Sequence, residues 1–135
     1  MSSELNKRSA CAFLAALEAR DRDALLELLA PDARWVIPRS APAPYAGTHR
    51  GRERIVELML GASQHAFAPG THRIEIRLLL GEADAVCAEV RMTARTPGGI
   101  DYENFYVFVF EFEGAKIREL REHVDTRHAA AFFER

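Results

Sequence analysis

The residues best able to do chemistry lie near the end of the chain, where polar side chains alternate with apolar ones. Asn104 and Tyr106 occupy alternate positions in an aromatic run, and Glu122 lies between Leu120 and Val124. An amide and a phenol can hydrogen-bond a carbonyl or hydroxyl oxygen. A carboxylate removed from water acquires a raised pKa, which suits it to proton transfer. These three polar residues are therefore the predicted catalytic groups.

The direction in which Glu122 points depends on the register of the last hairpin. If Gly114-Ala115 forms a two-residue turn, a regular ladder places Ile117 and Leu120 on opposite faces of the sheet. Both side chains are apolar, so we expect a bulge near Arg118-Glu119 that puts them on one face. With that bulge, Glu122 faces an aromatic surface beneath the helices.

Each catalytic candidate also has a structural interpretation. Glu122 can instead form an ion pair with Arg91 or Arg121, in which case it stabilises the fold. Asn104 can satisfy backbone groups of a loop, and Tyr106 can be a core aromatic residue. For Glu122, a buried carboxylate without a cationic partner distinguishes the catalytic role from the structural one.

Three further residues are predicted to contact a ligand from positions near the strands. Trp35 follows the first pair of helices and is expected in the pocket wall, although a core position is the alternative. His49 precedes the third helix. Its imidazole is expected either to reach the pocket and titrate near neutrality or to be exposed to solvent in a loop. Tyr102 begins the aromatic run and is expected at the mouth of the pocket.

Helical periodicity dominates the first half of the chain, apart from one short strand and one proline-rich loop. The second of three helices has Asp21 or Asp23 as its N-cap, and Pro31 is expected to end it. Its predicted buried positions are Leu25, Leu28 and Leu29. The other two helices are predicted over Ser3–Ala19 and Gly51–Phe67, the strand over Ala33–Ile37 and the loop over Pro38–Gly47.

Beyond Pro69-Gly70 the hydrophobic period changes from helical to alternating. Four strands follow, and a short helix capped by Asp125-Thr126 ends the chain. The first two of these strands are predicted from the alternating apolar residues Ile74, Ile76, Leu78 and Leu80, and Val86, Ala88, Val90 and Met92. The third covers the strand-forming run Tyr102–Phe112, and the last ends near Val124. Helices followed by antiparallel strands predict an α+β fold, with the helices on one face of the sheet.

Length, charge and composition limit the remaining possibilities. The 135 residues predict a single domain, residues 1–135, and the net charge of −2 provides no basic surface for nucleic acid. No apolar run approaches the roughly 20 residues of a membrane span. The two cysteines have no metal or redox spacing, which is typical of free buried thiols in a cytoplasmic protein. No metal site and no cofactor motif is predicted.

Several segments resemble the nuclear-transport-factor-two-like superfamily, which includes ketosteroid isomerases, limonene epoxide hydrolase and the SnoaL-like cyclases. The ending, with its asparagine between two aromatic residues, is similar to that of many SnoaL-like proteins. The matching segments are Phe13–Asp21, Ala30–Ala33, Pro44–Gly51, Tyr102–Tyr106, Gly114–Ile117 and Arg121–Thr126. The resemblance implies a cone-shaped open barrel, in which a curved antiparallel or mixed sheet wraps around the N-terminal helices and encloses an apolar pocket.

The resemblance also implies where this chain differs from the steroid isomerases. Their tyrosine donor, catalytic base and protonated acid correspond to Phe13, Ile37 and Phe108, none of which can transfer a proton. Epoxide hydrolase, cyclase and phenazine-biosynthesis relatives carry an acidic catalytic residue at the position of Glu122. The predicted ligand-contacting set is Phe13, Trp35, Ile37, His49, Val90, Tyr102 and Phe108.

Together these observations predict a cofactor-independent isomerase, cyclase or hydrolase that acts on a small, apolar, oxygenated molecule. The alternative is a non-catalytic ligand-binding or dimerisation module of the same fold. Phe105, Val107 and Val109 lie on the face opposite Tyr106 and Phe108. Since the outer face of this strand is also apolar, we expect a homodimer formed through the sheet.

Overall fold

The computed structural model describes residues 2–133, which form four helices and six strands. The helices are α1 (Ser3–Ala19), α2 (Arg22–Leu28), α3 (Arg52–Ala66) and α4 (Thr126–Phe133). The strands are β1 (Leu29–Ile37), β2 (Gly47–Arg50), β3 (Arg73–Glu82), β4 (Ala85–Arg95), β5 (Asp101–Glu113) and β6 (Lys116–Val124).

All six strands belong to one mixed sheet with the order β2-β1-β6-β5-β4-β3. Only the β1–β6 pair is parallel, and the other pairs are antiparallel. The sheet is not closed, because β2 and β3 are its two edges. The predicted α+β class and the cone-shaped open sheet are confirmed.

The main core lies between α1, α3 and the inner face of the sheet. Helix α1 buries Phe13, Leu14 and Leu17 at spacings that place them on one side of a helix. Phe13 meets Phe110 of β5 edge-on, with 5.8 Å between the ring centroids. This packing sets the depth at which the helices lie over the concave face.

The bulge predicted in β6 is present. Phe112 pairs with Ile117, whereas Glu111 pairs with Glu119, so Arg118 is the extra residue on β6. Ile117 and the next inward residue, Leu120, are both buried. Beyond the bulge, Glu122 lies opposite Phe108 on the inner face.

The predicted boundary between the second helix and the first strand is wrong. Helix α2 already ends at Leu28, and Leu29 is buried as the first residue of β1. Pro31 therefore lies within β1 and does not end the helix. The strand tolerates this proline because the β1–β6 register shifts between Leu29 and Arg34, so no regular ladder needs its missing N–H group.

The strand predicted from Ile74, Ile76, Leu78 and Leu80 is β3, and its apolar residues face inward over only half of its length. Ile76 pairs with Val90 and Leu78 pairs with Glu89, so β3 contains an extra residue at Arg77. This shift turns Leu78 and Leu80 outward, where they are 51% and 57% exposed. Alternation in the sequence continues through the bulge, which is why it indicated the wrong face.

Three general features of the described residues concern membrane spans, free thiols and metal ligands. No helix within residues 2–133 is both long and apolar enough to cross a membrane. Cys11 and Cys87 are free thiols as expected, but both are partly exposed instead of buried. Within the same part of the chain, no three His, Cys, Asp or Glu side chains are arranged to hold a metal ion.

Candidate functional site

A cavity lies between the inner face of the sheet, helices α1, α3 and α4, and the loop that follows β1. Its volume is about 100 Å³. Its wall is mostly aliphatic and aromatic, with a few polar side chains, as is usual for small-molecule sites. Residues from the sheet that line it include Trp35, Ile37, Met92, Tyr106, Phe108, Leu120, Glu122 and Val124.

Glu122 contributes a carboxylate to this mostly apolar wall, where the residue is partly buried. The bulge in β6 turns it inward, and its cross-strand partner is Phe108. The Trp35 indole donates a hydrogen bond from Nε1 to Glu122 Oε1 over 3.3 Å. Among residues 2–133, no other group hydrogen-bonds this carboxylate and no cation pairs with it.

Burial raises the pKa of Glu122 from its ordinary value of 4.5 to about 7. The cause is desolvation, since the apolar wall stabilises a charge less well than water does. The hydrogen bond from Trp35 favours the ionised form and so acts in the opposite direction. At neutral pH this carboxyl group is therefore close to half ionised, the condition in which a group transfers protons most effectively.

The two arginines that would make Glu122 structural are occupied on the outer face of the sheet. Arg91 pairs with Glu103 at 2.6 Å and with Glu75 at 3.8 Å. Arg121 pairs with two other carboxylates, Glu111 and Glu119. The Arg91 guanidinium therefore bridges β3 and β5.

His49 supports the pocket from behind and does not line it. It lies in β2 directly opposite Trp35 and is buried, with 5.6 Å between the two ring centroids. Its Nε2 atom is hydrogen-bonded to the carbonyl oxygen of Tyr45 at 2.7 Å. The expected alternative of an exposed loop histidine is therefore wrong. Its ring instead fixes the indole that holds Glu122.

Tyr102, Asn104 and Tyr106 form a buried hydrogen-bonded network along β5. The Tyr102 and Tyr106 hydroxyls are 2.7 Å apart, and Asn104 Nδ2 donates to Tyr102 Oη at 3.0 Å. The same amide group reaches the carbonyl oxygen of Asp125 at 3.3 Å, just before α4. Of the three, only Tyr106 lines the cavity, so Asn104 and Tyr102 reach it through Tyr106.

Burial raises the pKa of Tyr106 well above its ordinary value, and the nearby Tyr102 and Glu122 raise it further. Tyr106 therefore keeps its proton at all physiological pH values. Since a neutral phenol both donates and accepts hydrogen bonds, its hydroxyl can bond to Tyr102 and to a ligand oxygen together.

The loop between β1 and β2 closes one side of the cavity. Pro42 is buried and lines it together with Ala41 and Tyr45. Loop and terminal helix touch at two points: Ser40 Oγ lies 2.8 Å from Thr126 Oγ1, and the rings of Tyr45 and Phe133 are 6.5 Å apart. These two contacts join the loop to α4 on this side of the cavity.

The remaining predicted ligand contacts divide into wall and core. Ile37 and Phe108 line the cavity, together with Trp35. Phe13 and Val90 are fully buried, but they pack behind the wall and do not line it. Tyr102 does not lie at the mouth of this cavity. Its ring packs against Phe132 of α4, at a centroid distance of 4.3 Å.

With this geometry in place, comparison with known proteins identifies the family. Residues 10–120 match the sequence pattern of the SnoaL-like domain. The chain belongs to this family. A search of the curated proteins returns no match.

Solved structures similar to this SnoaL-like chain match it over nearly its whole length. Bal32a, from a soil-derived mobile gene cassette, is 27% identical, with a TM-score of 0.85 over 97% of this chain and 98% of that one. An NTF2-like protein from Burkholderia xenovorans is 26% identical, with a TM-score of 0.77 over 98% of each chain. TerC, co-crystallised with polyporic acid, is 20% identical, with a TM-score of 0.84 over 97% of this chain and 99% of that one.

The sequence of this SnoaL-like chain gave no indication of one polar residue in the wall. His72 lines the cavity from the segment between α3 and β3. It is 3% exposed, and no group within residues 2–133 hydrogen-bonds either of its ring nitrogens. A single imidazole in a loop has no periodicity, so no pattern in the sequence distinguishes this histidine.

Proposed function

We propose that this protein is a cofactor-independent enzyme that isomerises, cyclises or hydrates a small, largely apolar, oxygenated molecule. One observation carries the proposal. The Glu122 carboxyl group lies in an apolar cavity, without a cationic partner in the described chain, and its pKa is raised to about 7. A carboxylate that served only the fold would be paired, since an unpaired buried charge is costly.

Glu122 acts as the acid and base in this scheme. Its Oε1 atom is held by the Trp35 indole, whereas Oε2 accepts no hydrogen bond from residues 2–133. Oε2 can therefore take a proton from a substrate carbon beside a carbonyl group and return it to another carbon. It can equally take a proton from a water molecule while the oxygen atom of that water attacks the substrate. A positioned acid or base contributes roughly 100- to 10,000-fold in rate.

Tyr106 supplies the hydrogen bond to the oxygen on which negative charge develops. Its hydroxyl remains protonated and lines the cavity. Tyr102 and Asn104 act as positioning residues, because the amide group of Asn104 orients Tyr102, which in turn fixes the Tyr106 hydroxyl. Hydrogen bonds aimed in advance at developing charge are an effective source of catalysis in a water-excluded site.

The size and lining of the cavity limit the substrate. At about 100 Å³ it is smaller than the engineered cavity of about 150 Å³ that binds benzene. A ligand as large as benzene therefore requires the loop with Pro42 and Tyr45 to move away from α4. TerC, a structure with the same fold, was crystallised with the organic compound polyporic acid.

The test measures proton transfer directly and needs no knowledge of the natural substrate. Cyclopentanone is incubated with the protein in deuterated buffer, and exchange of its α-hydrogens is followed by NMR. We expect exchange above the buffer rate, increasing as the pH rises through about 7, because the ionised carboxylate is the base.

Glu122→Gln should reduce this exchange by roughly 100- to 10,000-fold while the protein remains folded. Glu119→Gln is the matched control, since Glu119 lies on the outer face of the same strand and should leave exchange unchanged. If ketones bind with no exchange above buffer in the wild-type protein, the chain is a non-catalytic binding module and the enzymatic proposal is wrong.

We further propose that the protein is a homodimer formed through the outer face of the sheet. Support comes from the apolar side chains on that face, where Phe105 is 45% exposed beside the half-buried Val107 and Val109. Leu78 and Leu80 of β3 are also exposed on this face, with Glu89 of β4 between Leu78 and Val107. Exposed apolar side chains grouped on one face can mark an interface.

Light scattering at micromolar concentration tests the dimer. Twice the chain mass of 15.2 kDa is expected for the wild-type protein. Phe105→Glu and Leu80→Glu should each give the monomer mass, because a carboxylate would be buried in the interface. Leu5→Glu is the control, since Leu5 is also exposed but lies on α1. A wild-type monomer would overturn the proposal.

The protein is proposed to act in the cytoplasm. Support comes from Cys11 and Cys87, which are free, partly exposed thiols. Exposed free thiols persist in a reducing compartment. Cell fractionation with an antibody against the protein, compared with periplasmic and cytosolic markers, would test this location.

A further inference from the structure

The cavity wall combines a single carboxylate with many aromatic rings. Glu122 is the only acidic side chain within residues 2–133 that lines the cavity, and no Lys or Arg side chain of that range lines it. The faces of aromatic rings carry partial negative charge, which attracts cations. Both kinds of group in this wall therefore favour a positively charged occupant. The aromatic side chains that line the cavity are Trp35, Tyr45, Phe67, Tyr106, Phe108 and Phe133.

One oxygen atom of the Glu122 carboxylate is open to an occupant of the cavity. Oε1 accepts the hydrogen bond from Trp35 Nε1 at 3.3 Å, whereas no group within residues 2–133 hydrogen-bonds Oε2. The ring nitrogens of His72 also have no partner there, but they are enclosed by protein, and Oε2 is not. A cation in the cavity can therefore lie beside Oε2 and supply the opposite charge that the fold does not provide.

The other titratable groups of the wall do not compensate this carboxylate. Burial raises the pKa of Glu122 to about 7, so the group is mostly ionised above that pH. Burial lowers the pKa of His72 to about 4, which keeps its imidazole neutral, and raises the pKa of Tyr106 well above its ordinary value. The remaining titratable side chain of the described wall is the phenol of Tyr45. Above pH 7, an uncompensated negative charge therefore borders the cavity.

An organic cation matches this wall better than a metal ion does. Ca²⁺ and Mg²⁺ bind about six or more oxygen atoms. Within residues 2–133, no three His, Cys, Asp or Glu side chains are arranged to hold a metal ion. A methylated ammonium ion instead carries its charge beneath methyl groups, which pack against aromatic rings and gain from leaving water.

The volume of the cavity restricts the size of such a cation. The cavity of about 100 Å³ is smaller than the engineered cavity of about 150 Å³ that binds benzene. Trimethylammonium and tetramethylammonium contain fewer non-hydrogen atoms than benzene. The single N–H group of a tertiary ammonium ion also matches the one open carboxylate oxygen, Oε2 of Glu122. Small methylated ammonium ions therefore fit the wall in charge, surface and size.

We propose that the cavity binds small methylated ammonium ions, with the positive charge beside the Glu122 carboxylate and the methyl groups against the aromatic wall. This ligand class goes beyond the neutral, oxygenated molecules of the proposed function, and its binding does not depend on turnover. Because the same carboxylate serves both roles, a bound ammonium ion also blocks proton transfer by Glu122.

The test uses tetramethylammonium, whose charge is permanent and independent of pH, and tert-butanol, a neutral molecule of similar size and shape. Binding is measured by chemical-shift titration of the ¹⁵N-labelled protein at pH 5 and pH 8.5, including the Trp35 indole N–H. We expect tetramethylammonium to bind at least about tenfold more tightly at pH 8.5, because only the ionised carboxylate attracts it. The affinity for tert-butanol should show no such increase. Absence of tetramethylammonium binding, or equal binding at the two pH values, overturns the proposal.

Variants of the wall separate the contributions of the carboxylate and the rings. Glu122→Gln should weaken tetramethylammonium binding at pH 8.5 by about tenfold and remove its dependence on pH. Phe108→Leu should weaken it by about threefold or more without a matching loss for tert-butanol, since Phe108 lines the cavity directly opposite Glu122. Glu119→Gln, on the outer face, is the matched control and should bind like the wild-type protein. Undiminished binding by Glu122→Gln would overturn the proposal.

A measurement on the wild-type protein needs no variant. A ligand that prefers the ionised carboxylate must lower the pKa of that carboxyl group, because the two equilibria are linked. Saturating tetramethylammonium chloride should therefore lower the pKa of Glu122, read from its carboxyl ¹³C resonance, by about 1 unit or more. Potassium chloride at the same concentration should not. An unchanged pKa in tetramethylammonium would overturn the proposal.

The outcome also distinguishes this inference from the proposed function. If tetramethylammonium binds through Glu122 but cyclopentanone shows no exchange above buffer, the ligand class stands and the enzymatic proposal fails. If exchange depends on Glu122 but tetramethylammonium neither binds nor inhibits it, the proposed function stands and this inference fails.

Discussion

Glu119 and Glu122 lie on opposite faces of β6, and their pKa values are shifted in opposite directions. On the outer face, Glu119 accepts a hydrogen bond from Arg34 at 2.8 Å and also pairs with Arg121. On the inner face, the Trp35 indole is the only hydrogen-bond partner that residues 2–133 provide for Glu122. Burial acts to raise both pKa values. Only for Glu119 do the arginines outweigh it, so the pKa of Glu119 is lowered and that of Glu122 is raised.

This difference shows what an ion pair does for a partly buried carboxylate. The outer face uses Glu111, Glu119, Arg34, Arg118 and Arg121 as a network that joins β1, β6 and β5. Each charge in it has an opposite charge nearby, so the group contributes to stability. The inner face leaves a carboxylate uncompensated, which costs stability and gives the group a pKa near neutrality.

The largest expected effect on this comparison comes from Glu122→Gln, measured as stability against pH. The folded-state pKa of about 7 exceeds the ordinary value of 4.5, so protonation favours the folded state. The contribution of Glu122 is fully favourable below pH 4.5 and is lost as the pH rises through about 7. Above that range the variant should be more stable than the wild-type protein by roughly 2–4 kcal/mol.

Urea unfolding of both proteins at pH 5 and pH 8.5 measures this effect as a difference of differences. Changes in other titrating groups cancel in that comparison, because both proteins contain them. Equal stability differences at the two pH values would mean that Glu122 titrates normally and is not desolvated.

Glu119→Gln should give a smaller effect with the opposite dependence on pH. Its folded-state pKa is lowered, so its contribution is present above the ordinary value of 4.5 and disappears as the pH falls through the folded-state pKa. We expect the variant to be less stable than the wild-type protein by about 1–2 kcal/mol at pH 7, because Arg34 and Arg121 lose a charged partner.

The same unfolding measurement, extended down to pH 3, checks this prediction. The difference between Glu119→Gln and wild type should shrink towards acid pH. A difference that grows on acidification would contradict the assignment of Glu119 to a stabilising network.

The smallest effect is expected from Trp35→Phe, which removes the hydrogen bond that the indole donates to the Glu122 carboxylate. That bond favours the ionised form, so its loss should raise the pKa of Glu122 further, by up to about 1 unit. The ¹³C resonance of the Glu122 carboxyl carbon, followed against pH in labelled protein, reports the change without a substrate. A downward shift would show that water replaces the indole and solvates the charge.

Local patterns in the sequence were sufficient to predict much of this architecture. Alternation of apolar residues assigned the inner faces of β4 and β5, and the conflict between Ile117 and Leu120 predicted the β6 bulge that turns Glu122 inward. The capping role of Asp125 was also predicted, and its Oδ1 accepts the backbone N–H of His128 at 3.1 Å. These features depend on neighbours along the chain or on an adjacent strand, so the sequence contains them.

Other features became visible only in the tertiary structure. The bulge in β3 interrupts no hydrophobic pattern, so the sequence could not show that Leu78 and Leu80 face outward. The burial of His49 depends on Trp35 and the loop around Tyr45. The hydrogen bonding of Asn104 depends on the carbonyl oxygen of Asp125, just before α4.

The sequence by itself determined the inward direction of Glu122 and the order of the elements apart from β2 (Gly47–Arg50), because these follow from hydrophobic period and strand register. Only the tertiary structure decided which polar groups are left without partners. His72 is buried because the end of α1, far away in sequence, packs against the segment between α3 and β3. The presence of a hydrogen-bond partner depends on distances between such segments, and no spacing along the chain encodes those distances.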